Sequence, residues 1–125
     1  MSANTDFFPP KVTEPELREH LFRLLGTGAA HPVAEVAPGG VTITRTGVGT
    51  FRITYDRNPG VFVNWSKDLG AATPGDVKGH TVVRDTWDAD NKRLDIALFN
   101  AAEAADELNA TEYLDIVLRF KETDV

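Results

Sequence analysis

Alternation dominates the chain. Val41, Ile43 and Arg45 alternate with Thr42, Thr44 and Thr46, and Phe51, Ile53 and Tyr55 alternate with Arg52, Thr54 and Asp56. A repeat of two residues is that of a strand with one face buried. Gly47-Val48-Gly49 joins the runs, so 41–56 reads as a β-hairpin. Asn58-Pro59-Gly60 is a turn, and Val61, Val63 and Trp65 open a third strand. From Leu69 to Gly79 little can pack, and the stretch reads as a loop. His80–Trp87, rich in Thr, Val and Trp, reads as a fourth strand. Asp88-Ala89-Asp90-Asn91 turns the chain, and Arg93–Asn100 returns with Leu94, Ile96 and Leu98 on one face, a second hairpin. The last strand is Tyr113–Lys121. Its Leu114, Ile116, Leu118 and Phe120 point inward, and its Asp115, Val117, Arg119 and Lys121 outward.

Three stretches depart from this pattern. Thr13, Pro15 and Glu16 look like a helix start, and Leu17, Leu21, Leu24 and Leu25 follow at helical spacing. A short helix over Pro15–Leu25, ended by Gly26, is the preferred reading; its rival is a strand over Leu21–Leu25 with Phe22 and Leu24 on one face. Ala101–Leu108 is alanine-rich and suits one or two helical turns. Residues 1–12 read as an extended arm, because Pro9 and Pro10 block helix and hold Phe8 extended. Phe7 and Phe8 would be wasted on water, so Phe7, Phe8, Pro9 and Pro10 are the candidate interface residues, packing on this domain or on a neighbouring subunit. Residues 13–125 form one domain. Strands at short intervals with turns between them predict a mainly-β fold, an antiparallel β-sandwich or jelly-roll-like domain with one or two short helices. Ile43, Phe51, Ile53, Val63, Leu94, Ile96, Leu98, Leu114, Ile116, Leu118 and Phe120 are its expected core.

Composition narrows the function classes. The 125 residues are 42% apolar and 26% charged, which suits a globular domain and excludes wholesale disorder. No apolar run reaches the length of a membrane span. Met1–Phe8 has neither the basic nor the apolar stretch of a secretory signal. With no cysteine, disulfides and thiolate chemistry are excluded, which fits synthesis in a reducing compartment. Residues 1–62 hold six acids and six bases, whereas 63–125 hold thirteen acids and seven bases, so the net charge of −6 belongs to the second half. The only adjacent basic pair is Lys92–Arg93, far short of the clusters that neutralise phosphates. Neither nucleic acid nor membrane is an expected partner.

Candidate chemistry is sparse. There are two serines, Ser2 and Ser66, and three histidines, His20, His31 and His80. They fall in separate elements without the spacing of a catalytic pair. Asp88, Asp90 and Asn91 resemble the opening of a calcium loop, but its fifth, sixth and twelfth positions hold Lys92, Arg93 and Phe99. A hairpin turn explains the same residues. Asp85, Asp88 and Asp95 approach one another across the second hairpin, as a solvated face rather than a carboxylate pair. Gly26-Thr27-Gly28 and Gly47-Val48-Gly49 lack the setting of a phosphate loop. Trp65 and Trp87 suit a sugar platform but more often belong to a core. The expectation is no catalytic residue, no metal and no cofactor.

One series carries a resemblance. Arg23-Leu24-Leu25-Gly26, Val41-Thr42-Ile43-Thr44-Arg45-Thr46-Gly47-Val48-Gly49, Asn58-Pro59-Gly60, Leu69-Gly70-Ala71-Ala72-Thr73-Pro74 and Tyr113-Leu114-Asp115 resemble small proteins encoded in the structural-gene regions of tailed bacteriophages. The similarity runs from about Leu21 to Val125 and rests on turn and strand signatures. It implies a virion component made in the bacterial cytoplasm: a capsid decoration or cement protein, or a part of the head fibre or tail. It carries no catalytic residues. The implied function is assembly through surfaces, with a homo-oligomer, a trimer favoured, and the major capsid protein or another virion protein as partners. The alternative is a carbohydrate- or receptor-binding module of a fibre or tail.

Overall fold

The computed structural model describes residues 17–71 and 80–121. Eight strands lie in them: β1 (Leu17–Leu25), β2 (Val33–Val36), β3 (Val41–Gly47), β4 (Thr50–Tyr55), β5 (Val61–Ala71), β6 (Thr81–Arg84), β7 (Arg93–Phe99) and β8 (Glu112–Lys121). They form two four-stranded antiparallel sheets. The first has the order β2-β1-β8-β5 and the second β3-β4-β7-β6. The β6–β7 hairpin lies in the second sheet while its flanking strands, β5 and β8, pair in the first. The chain thus rolls around its core as a β-sandwich, as the alternation predicts.

The core sits between the sheets. Phe22, Leu24, Leu114, Ile116, Leu118 and Phe120 enter it from the first sheet; Phe51, Ile53, Tyr55, Val82, Leu94, Ile96 and Leu98 enter from the second. At about 25 cal/mol per Å² of apolar surface removed from water, this burial is the main force holding the sheets together. Both expected hairpins are present. Val41 pairs with Tyr55 through Gly47 with Thr50, and Thr81 with Phe99 through Arg84 with Ile96. Gly49 turns the first hairpin at φ +64°, and a Cβ there would strike the backbone of Asp106. In the second, Asp88 and Arg93 exchange backbone hydrogen bonds of 3.0 and 3.1 Å. Asp88 Oδ1 accepts from Asn91 N at 3.1 Å inside that turn.

Six expectations need correction. No helix occurs among the described residues. Leu17–Leu25 is a strand, paired with β8 along all nine of its residues. A helix would have buried the Leu17–Leu21 stripe, whereas the strand buries Phe22 and Leu24 against facing apolar side chains, so tertiary pairing overrides local propensity. Ala101–Leu108 is not helical either. Asn100 Oδ1 accepts from Ala102 N and Ala104 N at 2.9 and 3.1 Å, a local bond that competes with helix. Leu69–Ala71 continues β5 rather than opening a loop; the rest of that stretch, 72–79, lies outside the described residues. The fourth strand is shorter than His80–Trp87, spanning Thr81–Arg84. Val63 is 48% exposed, because the register of β5 shifts between Phe62 and Asn64. The extra residue of this β-bulge puts Phe62 and Trp65 on the inner face and turns Val63 out. Ile43 is only partly buried, packed against the rim of the core.

Candidate functional site

The residues singled out for catalysis lie apart. His20, on β1, shares a 2.8 Å hydrogen bond between its Nδ1 and the Tyr55 hydroxyl. Burial, with a smaller contribution from Arg18, lowers its pKa; burial alone pushes the Tyr55 phenol well above its usual range. His31 Nδ1 accepts from Arg45 N at 2.9 Å. Ser66 faces the other way, on the outside of the first sheet, where its Oγ accepts from Arg119 Nη1 at 2.8 Å.

His80 is the histidine with the most enclosed surroundings. Its Nε2 lies 3.0 Å from Glu112 Oε1, and both side chains are fully buried. The same carboxylate oxygen accepts from Asn109 N and Asn109 Nδ2, each at 3.0 Å. Asp106 Oδ2 stands 3.5 Å from His80 Nδ1, at ion-pair distance but not aligned as a hydrogen bond. Glu112 begins β8 of the first sheet, and His80 directly precedes β6 of the second. The cluster therefore ties the two sheets together at one end. Sequence reading missed it: Glu112 lies thirty-two positions from His80, and nothing local marks their meeting.

The acidic and aromatic candidates divide similarly. Asp85, Asp88 and Asp95 do line one groove, with Thr86, Trp87 and Arg93. Asp95 is taken up by Arg52 through bonds of 2.8 and 3.1 Å. Asp88 is held below the usual carboxylate range, chiefly by the Asn91 side chain. Among the described residues no three His, Asp or Glu side chains converge as a cation site. Trp87 packs with the core, stacked on Phe62 at 6.2 Å and edge-on to Tyr55 and Phe120. Trp65 lies on the open side of the sandwich between edge strands β5 and β6. Arg84 stands over both Phe62 and Trp65, at 4.6 and 5.9 Å, and Lys67 over Trp65 at 5.4 Å. This cation–aromatic ladder borders a cleft of about 410 Å³.

The outer face of the first sheet is built differently. Among the described residues, six of the eight exposed large apolar side chains belong to this sheet: Leu17, Leu21, Val33, Val36, Val61 and Val63. Register sets them in rows. Leu21 is beside Val117, which is beside Ser66; Leu17 is beside Lys121, which is beside Val61. Between these rows Arg119 donates to Glu19 Oε2, Asn64 Oδ1 and Ser66 Oγ at 2.8, 3.1 and 2.8 Å. Arg23 donates twice to Asp115, at 2.7 and 2.8 Å, and lies 4.4 Å over the Tyr113 ring. Its pKa rises further above its already high value, first through the Asp115 hydrogen bond. Arg23 and Arg119 thus find their acids within the face. The apolar residues therefore lie in stripes between the charged rows Arg23–Asp115–Asp68 and Glu19–Arg119–Asn64, and exposed apolar area beyond scattered single residues is a common feature of interaction surfaces.

The outward set on β8 follows from alternation alone. Leu17 and Leu21 joined it only because Leu17–Leu25 is a strand, which the rival reading of Leu21–Leu25 foreshadowed in part. Phe7, Phe8, Pro9 and Pro10 lie outside the described residues. No family model, curated protein or solved structure matches this chain.

Proposed function

We propose that the chain is a structural protein of a tailed-bacteriophage virion, a capsid decoration or cement protein that works by self-association and surface contact rather than by turnover. The observation that carries this reading is the outer face of the first sheet. A monomer that needed only to stay in solution would be served by a polar outer face like that of the second sheet. The resemblance of the turn and strand signatures to phage structural-region proteins supplies the setting: synthesis in the bacterial cytoplasm, a place in the virion, the major capsid protein or a neighbouring virion protein as partner, and a trimer as the favoured assembly. A compact β-domain repeated around a closed ring buries one patch per copy, and many weak contacts on a lattice add through effective concentration.

Two measurements test this. Sedimentation equilibrium of the purified chain is expected to give a trimer, and quantitative mass spectrometry of purified virions is expected to find it in many copies beside the major capsid protein. A chain absent from the particle overturns the reading. The cation–aromatic ladder of Trp65, Lys67 and Arg84 beside its cleft favours a second reading, a carbohydrate- or receptor-binding module of a fibre or tail. Specific binding on a glycan array that is lost in Trp65→Ala would decide for it.

A further inference from the structure

We infer that the cleft between edge strands β5 and β6 binds a hexuronic acid unit of an oligosaccharide, its carboxylate held by Lys67 and Arg84 and its ring set against Trp65. This rests on the second reading above, carbohydrate binding, and adds the class of sugar. It draws nothing from the outer face of the first sheet, so it stands apart from the assembly reading.

The first observation is placement. β5 ends the first sheet and β6 ends the second. Register puts Trp65 beside Leu118, Lys67 beside Ile116 and Arg84 beside Ile96, three partners at most 1% exposed. Trp65, Lys67 and Arg84 therefore occupy inward-facing rows at the two margins of the core. Folding asks for apolar side chains in such rows, and two cations there answer some other demand.

The second observation is charge. Arg23, Arg45, Arg52, Arg93 and Arg119 each meet a carboxylate. Among the described residues Lys67 and Arg84 meet none. Arg84 is half-buried, with its guanidinium 4.6 Å over the Phe62 ring. Its Nη1 donates to Asp85 O at 3.0 Å, and its enclosed Nε has no partner. A cation drawn partly out of water without a counter-ion carries a desolvation cost. The aromatic faces offset part of it. An incoming carboxylate offsets more, because charge-assisted hydrogen bonds to a guanidinium are strong and stacking leaves its in-plane donors in place. Charges at sheet edges also prevent edge-to-edge pairing, but that role does not call for a guanidinium laid over aromatic rings.

The third observation is what else lines the cleft. It holds about 410 Å³ and adds exposed Asp85 and Thr86 to the two cations and the indole. Asp85 Oδ1 accepts from Thr86 N at 3.1 Å, and its carboxylate retains further acceptor capacity. An acceptor beside the cations repels a phosphate chain, as does the net charge of −6, yet it accepts readily from sugar hydroxyls. A hexuronic acid brings one carboxylate, several hydroxyls and a C–H ring face for the indole. A glutamate-rich peptide offers the cations the same group but no such ring face.

The test uses the purified full chain, isotope-labelled, at neutral pH. The probes are short oligosaccharides of glucuronic, galacturonic, mannuronic and guluronic acid, each with its carboxyl-reduced neutral counterpart, and a hexaglutamate peptide. Nitrogen–proton correlation spectra follow the Trp65 indole and Arg84 Nε–H signals. The expected result is that at least one acidic oligosaccharide moves both signals and binds at least tenfold more tightly than its neutral counterpart and than hexaglutamate. Arg84→Gln is expected to weaken that oligosaccharide at least tenfold. Lys67 is exposed, so Lys67→Gln, expected to weaken it at least threefold, keeps the test valid if Arg84→Gln unfolds the chain. Equal binding of acidic and neutral members overturns the inference and leaves carbohydrate binding standing. Preference for hexaglutamate assigns the cleft to an acidic peptide and overturns it too. Binding of no probe makes Lys67 and Arg84 guards of the sheet edges; a blank glycan array beside that result defeats the carbohydrate reading as well.

Discussion

The two sheets close on one core and differ on their outer faces. Outside the second sheet, β3 and β4 carry Thr42, Thr44, Thr46, Arg52 and Thr54, and Asp95 of β7 pairs with Arg52. Thr42 and Thr46 are exposed, so hydroxyls line the β3–β4 half of this face, while Val83 of β6 is its exposed large apolar residue. Outside the first sheet, Leu17, Leu21, Val33, Val36, Val61 and Val63 are exposed, while the Arg23 and Arg119 pairs neutralise one another in place. Folding demands an apolar inner face of both sheets, and both comply. It makes no such demand of an outer face. On the assembly reading proposed above, the difference between the outer faces reflects association, which exposed apolar area favours.

That comparison can be broken in several ways, and the largest effect comes from what the sheets share. Ile116→Ala in the first sheet and Ile96→Ala in the second each remove a side chain at most 1% exposed. Each is expected to cost about 2–5 kcal/mol, read as a lower denaturant midpoint. A large cost in one sheet and almost none in the other would show that the core is not common to both. His80→Ala comes next, since it strips Glu112 of its buried partner across the two sheets. A loss of about 1–3 kcal/mol is expected; an unchanged midpoint would mean that the partners left to Glu112 satisfy its carboxylate without His80.

The outer faces themselves are compared by Leu21→Glu and Thr42→Glu. Both positions are exposed, so each substitution should leave stability within about 0.5 kcal/mol. Sedimentation should show self-association weakened at least tenfold, about 1.4 kcal/mol, by Leu21→Glu and unaltered by Thr42→Glu. Equal effects would erase the distinction between the faces. The smallest effect concerns pH. His20 has its pKa lowered from the ordinary 6.5 in the folded chain, so the unfolded chain takes up its proton first. The stability it contributes is complete above about pH 6.5 and declines as pH falls through 6.5 toward the depressed folded value. Urea midpoints measured at pH 7.5 and 5.5 should therefore differ less in His20→Gln than in the parent. An identical difference in the two proteins would assign the acid sensitivity to other groups.

Much of the architecture was legible because it is local. Alternation and the Gly47-Val48-Gly49 turn specify the first hairpin wherever it is placed. In the last strand, Leu114 to Phe120 against Asp115 to Lys121 assigns both faces without knowledge of neighbours. Of the outer face of the first sheet, the β8 part, Asp115, Val117, Arg119 and Lys121, could be read this way.

The remainder depends on partners distant in sequence. Leu17–Leu25 has a leucine spacing that suits a helix, and only nine residues of pairing with β8 make it a strand. That pairing sends Phe22 inward and leaves Leu17 and Leu21 outside. Val63 kept the alternation of its strand on paper, and the bulge opposite Arg119 moved it to the other face. His80 and Glu112, thirty-two residues apart, become one cluster only when the sheets close. Local pattern determined which stretches alternate and where they turn, because side-chain direction in a strand has a period of two. Register, bulge and the choice between helix and strand at β1 were decided by tertiary structure, because their energies lie in contacts that exist only once the first and last strands have met.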